Sequence, residues 1–130
     1  IKPFDIDAVG GLTMGADPIV TAVTIASYQD SPDSAVNGFL VRKSTKDHGT
    51  KKQIEGLSPD YQPKRIVIIE DVTTTGGSLW QAYDAVRATY PNAEIPFAVT
   101  LVDRRDEAVP LTRDADTIAL GNLYPIQKFI

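Results

Sequence analysis

The sequence predicts an α/β fold, a central mostly parallel sheet flanked by helices, on three observations. The short apolar run at residues 66–69 reads as a strand buried on both faces, and residues 96–102 make another apolar strand. Stretches with helical spacing alternate with them, and that alternation implies a parallel sheet with right-handed crossovers. Clusters of glycine, hydroxyl and charged residues follow the strands, at the carboxyl ends where open α/β sheets gather ligands.

The elements follow in order. A first strand is expected near residues 6–11, then a helix at 17–28 with Pro18 suited to its first turn. Residues 29–37 form a linker-like stretch inside the domain, and a second strand is expected at 37–41. Residues 44–63 lack apolar periodicity, which in a compact domain marks a functional lid or a disordered connection. After the strand at 66–69, Leu79, Ala82, Tyr83, Ala85 and Val86 fall on one helical stripe that runs to about Tyr90. The strand at 96–102 comes next, and residues 117–120 make one more.

Composition narrows the function classes. A chain of 130 residues is read as one domain, 1–130, burying roughly two-thirds of its unfolded surface. Its net charge of -4 argues against a nucleic-acid-coating protein. It has no cysteine, hence neither disulfides nor thiolate chemistry. Nothing approaches the ~20 apolar residues of a membrane span, and no cleavable signal pattern is visible. A cytoplasmic soluble enzyme is the expectation. Because the chain starts at Ile1 with a strand close behind, residues are expected to be missing upstream.

The most informative run is Arg65 to Ser78, RIVIIEDVTTTGGS. It passes from an apolar strand through two carboxylates into a Thr/Gly/Ser loop and then a helix. Unpaired N–H groups and the dipole at the helix start favour an anion there. Hydroxyls add donors, and Gly76 and Gly77 would let a phosphate approach the backbone. Glu70 and Asp71 are acceptor-only groups that suit vicinal sugar hydroxyls or a magnesium-bound water shell. Thr, Ser and Gly are also ordinary helix-start residues, and for a shorter string that reading would stand. No Gly-Lys-Ser/Thr follows, so this is not a Walker loop. The whole string resembles the phosphoribosyl pyrophosphate (PRPP) motif of the type I phosphoribosyltransferases. The resemblance implies that Glu70 and Asp71 hold the ribose hydroxyls. It also implies that Val72, Thr73, Thr74, Thr75, Gly76, Gly77 and Ser78 complete the PRPP site around the 5-phosphate.

A second stretch, Arg42 to Lys52, holds five of the 13 Lys and Arg residues and the only histidine against a single acid, Asp47. Focused positive charge attracts a polyanion, although an isolated basic cluster is commonly only a solvated loop. Its spacing, RKxxKDHG, is similar to the flexible catalytic loop of the orotate phosphoribosyltransferase family. The resemblance implies that Arg42, Lys43, Lys46 and His48 bind and neutralise a pyrophosphate leaving group. It further implies a homodimer in which this loop is shared between subunits.

Two more loops follow strands. Residues 10–18, GGLTMGADP, read as a glycine-rich turn into a helix. The turn resembles the family's pyrophosphate loop, apart from Met14 and Gly15, where some members carry a basic or aromatic residue; a plain tight turn fits equally. In Asp103-Arg104-Arg105, a guanidinium could clamp a carboxylate, or both arginines could pair with Asp103, Asp106 or Glu107. The family resemblance implies that Arg104, with Thr74, contacts orotate. The implied activity is transfer of phosphoribosyl from PRPP to orotate, giving orotidine 5'-phosphate and pyrophosphate in pyrimidine synthesis. Mg2+ would be held through PRPP and water, with no direct protein ligand. The resemblance also implies an amino-terminal hood segment over the base, which is expected to lie among the residues missing upstream, so base choice stays open. A purine-base phosphoribosyltransferase and a non-catalytic PRPP-binding regulator are the competing readings.

Overall fold

The computed structural model describes residues 5–43, 52–107 and 109–125. Strands β1 (Ala8–Leu12), β2 (Asn37–Val41), β3 (Ile54–Glu55), β4 (Ile66–Thr73) and β5 (Ala98–Asp103) appear in chain order. They are followed by a small hairpin, β6 (Leu111–Arg113) and β7 (Asp116–Ile118), and by β8 (Leu120–Pro125). Helix α1 (Asp17–Asp30) joins β1 to β2, and α2 (Gly77–Thr89) joins β4 to β5. The main sheet has the order β3-β2-β1-β4-β5-β8, parallel throughout except for the β2–β3 pair.

Chain connections run outward in opposite directions from the central β1–β4 pair, so right-handed crossovers place the two helices on opposite faces. Packing agrees with this. Ala8, Phe39, Ile66 and Ile68 pack with the α2 stripe Leu79, Ala82, Tyr83, Ala85 and Val86. Val9, Val67 and Ile69 pack with Ala16 and Val20 on the α1 side. Alternate residues of β4 thus serve different cores, which explains why its apolar run is unbroken. The β1–β4 boundary is also the topological switch point at which such sheets bind ligands.

The α2 stripe and strand β2 stand where the sequence places them. Four differences have physical causes. Gly10 and Gly11 lie inside β1 rather than in the turn after it. Gly10 leaves room for the buried Phe39 ring, which would stand 2.3 Å from a Cβ at that position. Strand β4 continues past Ile69 through Glu70 and Asp71 to Thr73, because β5 is long enough to supply ladder partners, Glu70 opposite Thr100 and Thr73 opposite Asp103. Residues 54–55, inside the stretch without periodicity, form β3 on the sheet edge. The strand expected at 117–120 is instead split between the β6–β7 hairpin and β8.

Candidate active site

Strand β4 delivers its two acids to the carboxyl edge of the sheet in different environments. Glu70 is buried, at 5% exposure, whereas Asp71 is half-buried. Burial, followed by the neighbouring Asp71 carboxyl and its charge, pushes the Glu70 carboxyl up from 4.5 to about 7. The Asp71 backbone N–H and the Ser78 hydroxyl work in the opposite direction. Asp71 accepts the Val72 N–H at 2.8 Å, and the first loop packs directly against its carboxylate. A Cβ on Gly15 would come within 2.6 Å of Asp71 Oδ1, so this glycine is what lets the loop at residues 13–16 close over β4. That loop contains a cis peptide between Thr13 and Met14, with Met14 exposed.

Beyond Thr73 the chain turns through Thr74 and Thr75 into α2. Gly76 caps the helix at φ 84°, in the left-handed region, and no side chain caps the first turn. The N–H groups that open α2 therefore face a concavity of about 250 Å³. It is lined by Glu70, by Val72 through Ser78, and by Gln81. The two glycines serve different purposes. A Cβ on Gly76 would strike Leu111 Cδ2 at 2.7 Å, whereas one on Gly77 would meet nothing closer than Thr75 Oγ1 at 3.6 Å. Gly76 is required by the fold, and Gly77 leaves open space at the mouth of the helix. Thr74, Thr75 and Ser78 are exposed. Thr73 is buried at 2% exposure, and its Oγ1 has no hydrogen-bond partner, an orphan donor at the wall of the concavity.

The arginines after β5 are separated by environment. Arg105 pairs with Asp103, while Arg104 is exposed and its backbone N–H donates to the Thr73 carbonyl at 2.9 Å. At the end of β2, Arg42 forms an ion pair with Glu55 of β3 at 3.2 Å, and Lys43 is exposed. Lys46 and His48 lie outside the described residues. The structure thus brings Glu70, Asp71, the Thr/Gly/Ser turn and the Arg104 backbone to one sheet edge. Gln81 and the Glu55 partner of Arg42 escaped the sequence reading. Gln81 was findable, since it lies one turn after Ser78 on the same helix face; the Glu55 contact depends on a strand with no local signature.

Among the described residues no three His, Cys, Asp or Glu side chains gather as a metal cage. Two adjacent carboxylates fit a magnesium ion that brings phosphate and water oxygens of its own. No helix among the described residues is long and apolar enough to cross a membrane.

Comparison with known proteins places this geometry in context. The phosphoribosyl transferase domain matches residues 6–122. The chain is 41% identical to the orotate phosphoribosyltransferase of Bradyrhizobium diazoefficiens over 132 residues, covering all of this chain and 68% of that protein. It is 45% identical to the Corynebacterium glutamicum orotate phosphoribosyltransferase over 101 residues, 78% of this chain and 50% of that protein. Among solved structures, a phosphoribosyltransferase from Corynebacterium diphtheriae superposes with a TM-score of 0.72 at 32% identity, covering 97% of this chain and 68% of the other. The orotate phosphoribosyltransferase of Mycobacterium tuberculosis in complex with PRPP gives a TM-score of 0.66 at 29% identity, covering 99% and 68%. The chain therefore spans between half and about two-thirds of the length of these relatives.

Proposed function

This chain belongs to the phosphoribosyltransferase family, and on that premise we propose that it is the catalytic core of an orotate phosphoribosyltransferase. The observation that carries the reading is the concavity at the start of α2, walled by hydroxyls, an open glycine and the Glu70 carboxyl, with Asp71 next to it on β4. A phosphate monoester fits it, held by the first N–H groups of α2 and the hydroxyls of Thr74, Thr75 and Ser78. The orphan Thr73 hydroxyl supplies one further donor. Asp71 and ionised Glu70 accept the ribose hydroxyls, and Val72 and Gly76 shape the turn.

Breaking the bond between C1 and pyrophosphate places negative charge on the leaving group and positive charge on the ring. Fixed cations stabilise the former, a role we assign to Arg42, Lys43, Lys46 and His48. Arg42 would exchange Glu55 for pyrophosphate, a small cost, because half-exposed ion pairs contribute about 0–1 kcal/mol. Magnesium, carried on the substrate's own oxygens, would spread the same charge further. Arg104 offers a free guanidinium at the β5 end, one residue past Asp103, the ladder partner of Thr73, and with Thr74 it would orient the base carboxylate so that a ring nitrogen faces C1. No enzyme nucleophile is required. We further assign a homodimer sharing the basic loop, and a cytoplasmic setting.

Turnover of orotate with PRPP tests the assignment. Lys46→Ala and Arg42→Ala are expected to abolish most of the rate while circular dichroism stays unchanged. Unaltered rates in both would discard the loop assignment. A panel of bases separates readings, since a purine transferase has no use for Arg104, and binding of PRPP without turnover of any base would indicate a regulator.

A further inference from the structure

The adjacent arginines after β5 divide a task. Asp103 is only 3% exposed, and its carboxylate receives Arg105 Nε at 2.9 Å and Nη2 at 2.7 Å, a two-pronged pairing. The same carboxylate also accepts the Arg105 backbone N–H at 3.1 Å. The third arm of the guanidinium, Nη1, donates to the Val109 carbonyl at 2.6 Å, closing the loop that leads to β6. Between these anchors stands Arg104, whose own N–H is tied to Thr73 of the phosphate strand. Its main chain is therefore fixed from both directions. Its guanidinium is exposed, and no side-chain hydrogen bond or ion pair engages it among the described residues.

We propose that Arg105, acting through Asp103, is a positioning residue that aims Arg104 at the substrate carboxylate. This rests on the orotate reading of Arg104. A flexible arginine clamps a planar carboxylate with two bonds only if its Cα is delivered at a fixed place and angle, and the Asp103–Arg105 fork supplies that rigidity. Lysine at 105 keeps the charge beside Asp103 but cannot reproduce the planar fork.

Steady-state kinetics of Arg104→Ala, Arg105→Lys and Arg105→Ala test the idea, each with orotate and with uracil, which lacks the carboxylate. In Arg105→Lys, KM for orotate is expected to rise about tenfold or more. KM for PRPP and the kcat/KM for uracil are expected to stay within about twofold, below any effect of lost geometry. Arg104→Ala should show at least as large a loss for orotate. If Arg104→Ala leaves orotate unaffected, the carboxylate reading itself fails. If Arg104→Ala weakens orotate but Arg105→Lys does not, or if Arg105→Lys raises both substrates' KM in parallel, the positioning role is overturned. Should Arg105→Ala not fold, the double variant Asp103→Asn with Arg105→Gln removes the fork without leaving a buried charge. It is expected to lose orotate selectively, and retained orotate affinity in it would also overturn the proposal.

Discussion

Glu70, whose carboxyl is pushed up to about 7, stands at a site that needs an acceptor. Below pH 4.5 the residue is protonated in folded and unfolded chains alike. Between 4.5 and about 7 the folded state keeps a proton that the unfolded chain has released, so stability falls as pH rises, and the full cost is present above 7. Glu70→Gln is therefore expected to melt higher than the parent at pH 8, by at most about 3 kcal/mol, with the gain vanishing by about pH 4. Function runs the other way. Only the ionised carboxylate accepts a hydroxyl with both oxygens, so calorimetric PRPP affinity should increase from about pH 6 to about pH 8. Glu70→Gln should bind weakly and without that pH dependence. An equal pH dependence in the variant would remove Glu70 from the ribose site. The sequence placed Glu70 and Asp71 side by side but could not reveal that only one is buried, because alternation along β4 sets the side and the packing on each side sets the environment.

At the scale of elements, the turn into α2 depends on a hairpin far along the chain. Leu111 of β6 is buried against Gly76, and Tyr83 of α2 donates to Asp116 at 3.2 Å. Arg113 spans Asp84 and stacks over Trp80 at 4.3 Å. The β6–β7 hairpin thus braces the helix whose start forms the anion site. Gly76→Ala is expected to cost roughly 1–3 kcal/mol, through its positive φ and the clash with Leu111. Gly77→Ala is expected to stay within about 0.5 kcal/mol of the parent yet to bind PRPP severalfold more weakly, since its methyl occupies phosphate space. Chemical denaturation and calorimetry separate the two. Equal stability losses would show that this division of labour is wrong. From sequence the glycines read alike; their difference arises from Leu111, thirty-five residues away.

For the whole molecule the relevant quantity is charge placement. A cationic segment from Arg42 to Lys52 belongs to a chain of net charge -4, so it concentrates attraction for a pyrophosphate that the net charge of the chain opposes. The association rate of PRPP is expected to fall as salt rises, and to fall less steeply in Lys46→Ala, as stopped-flow binding at several ionic strengths would report. Identical slopes would leave the segment without a steering role.

The sequence by itself determined the alternation of strands and helices, the α2 stripe and the acid-hydroxyl-glycine turn. All are local patterns, written in periodicity and in residues adjacent along the chain. Tertiary structure alone decided that β1 and β4 lie side by side, that Gly15 packs on Asp71, that Arg105 rather than Arg104 is bound to Asp103, and that β4 extends to Thr73. Each depends on which distant segment becomes the neighbour. Burial and hydrogen bonding are properties of those neighbours, and local spacing carries no information about them.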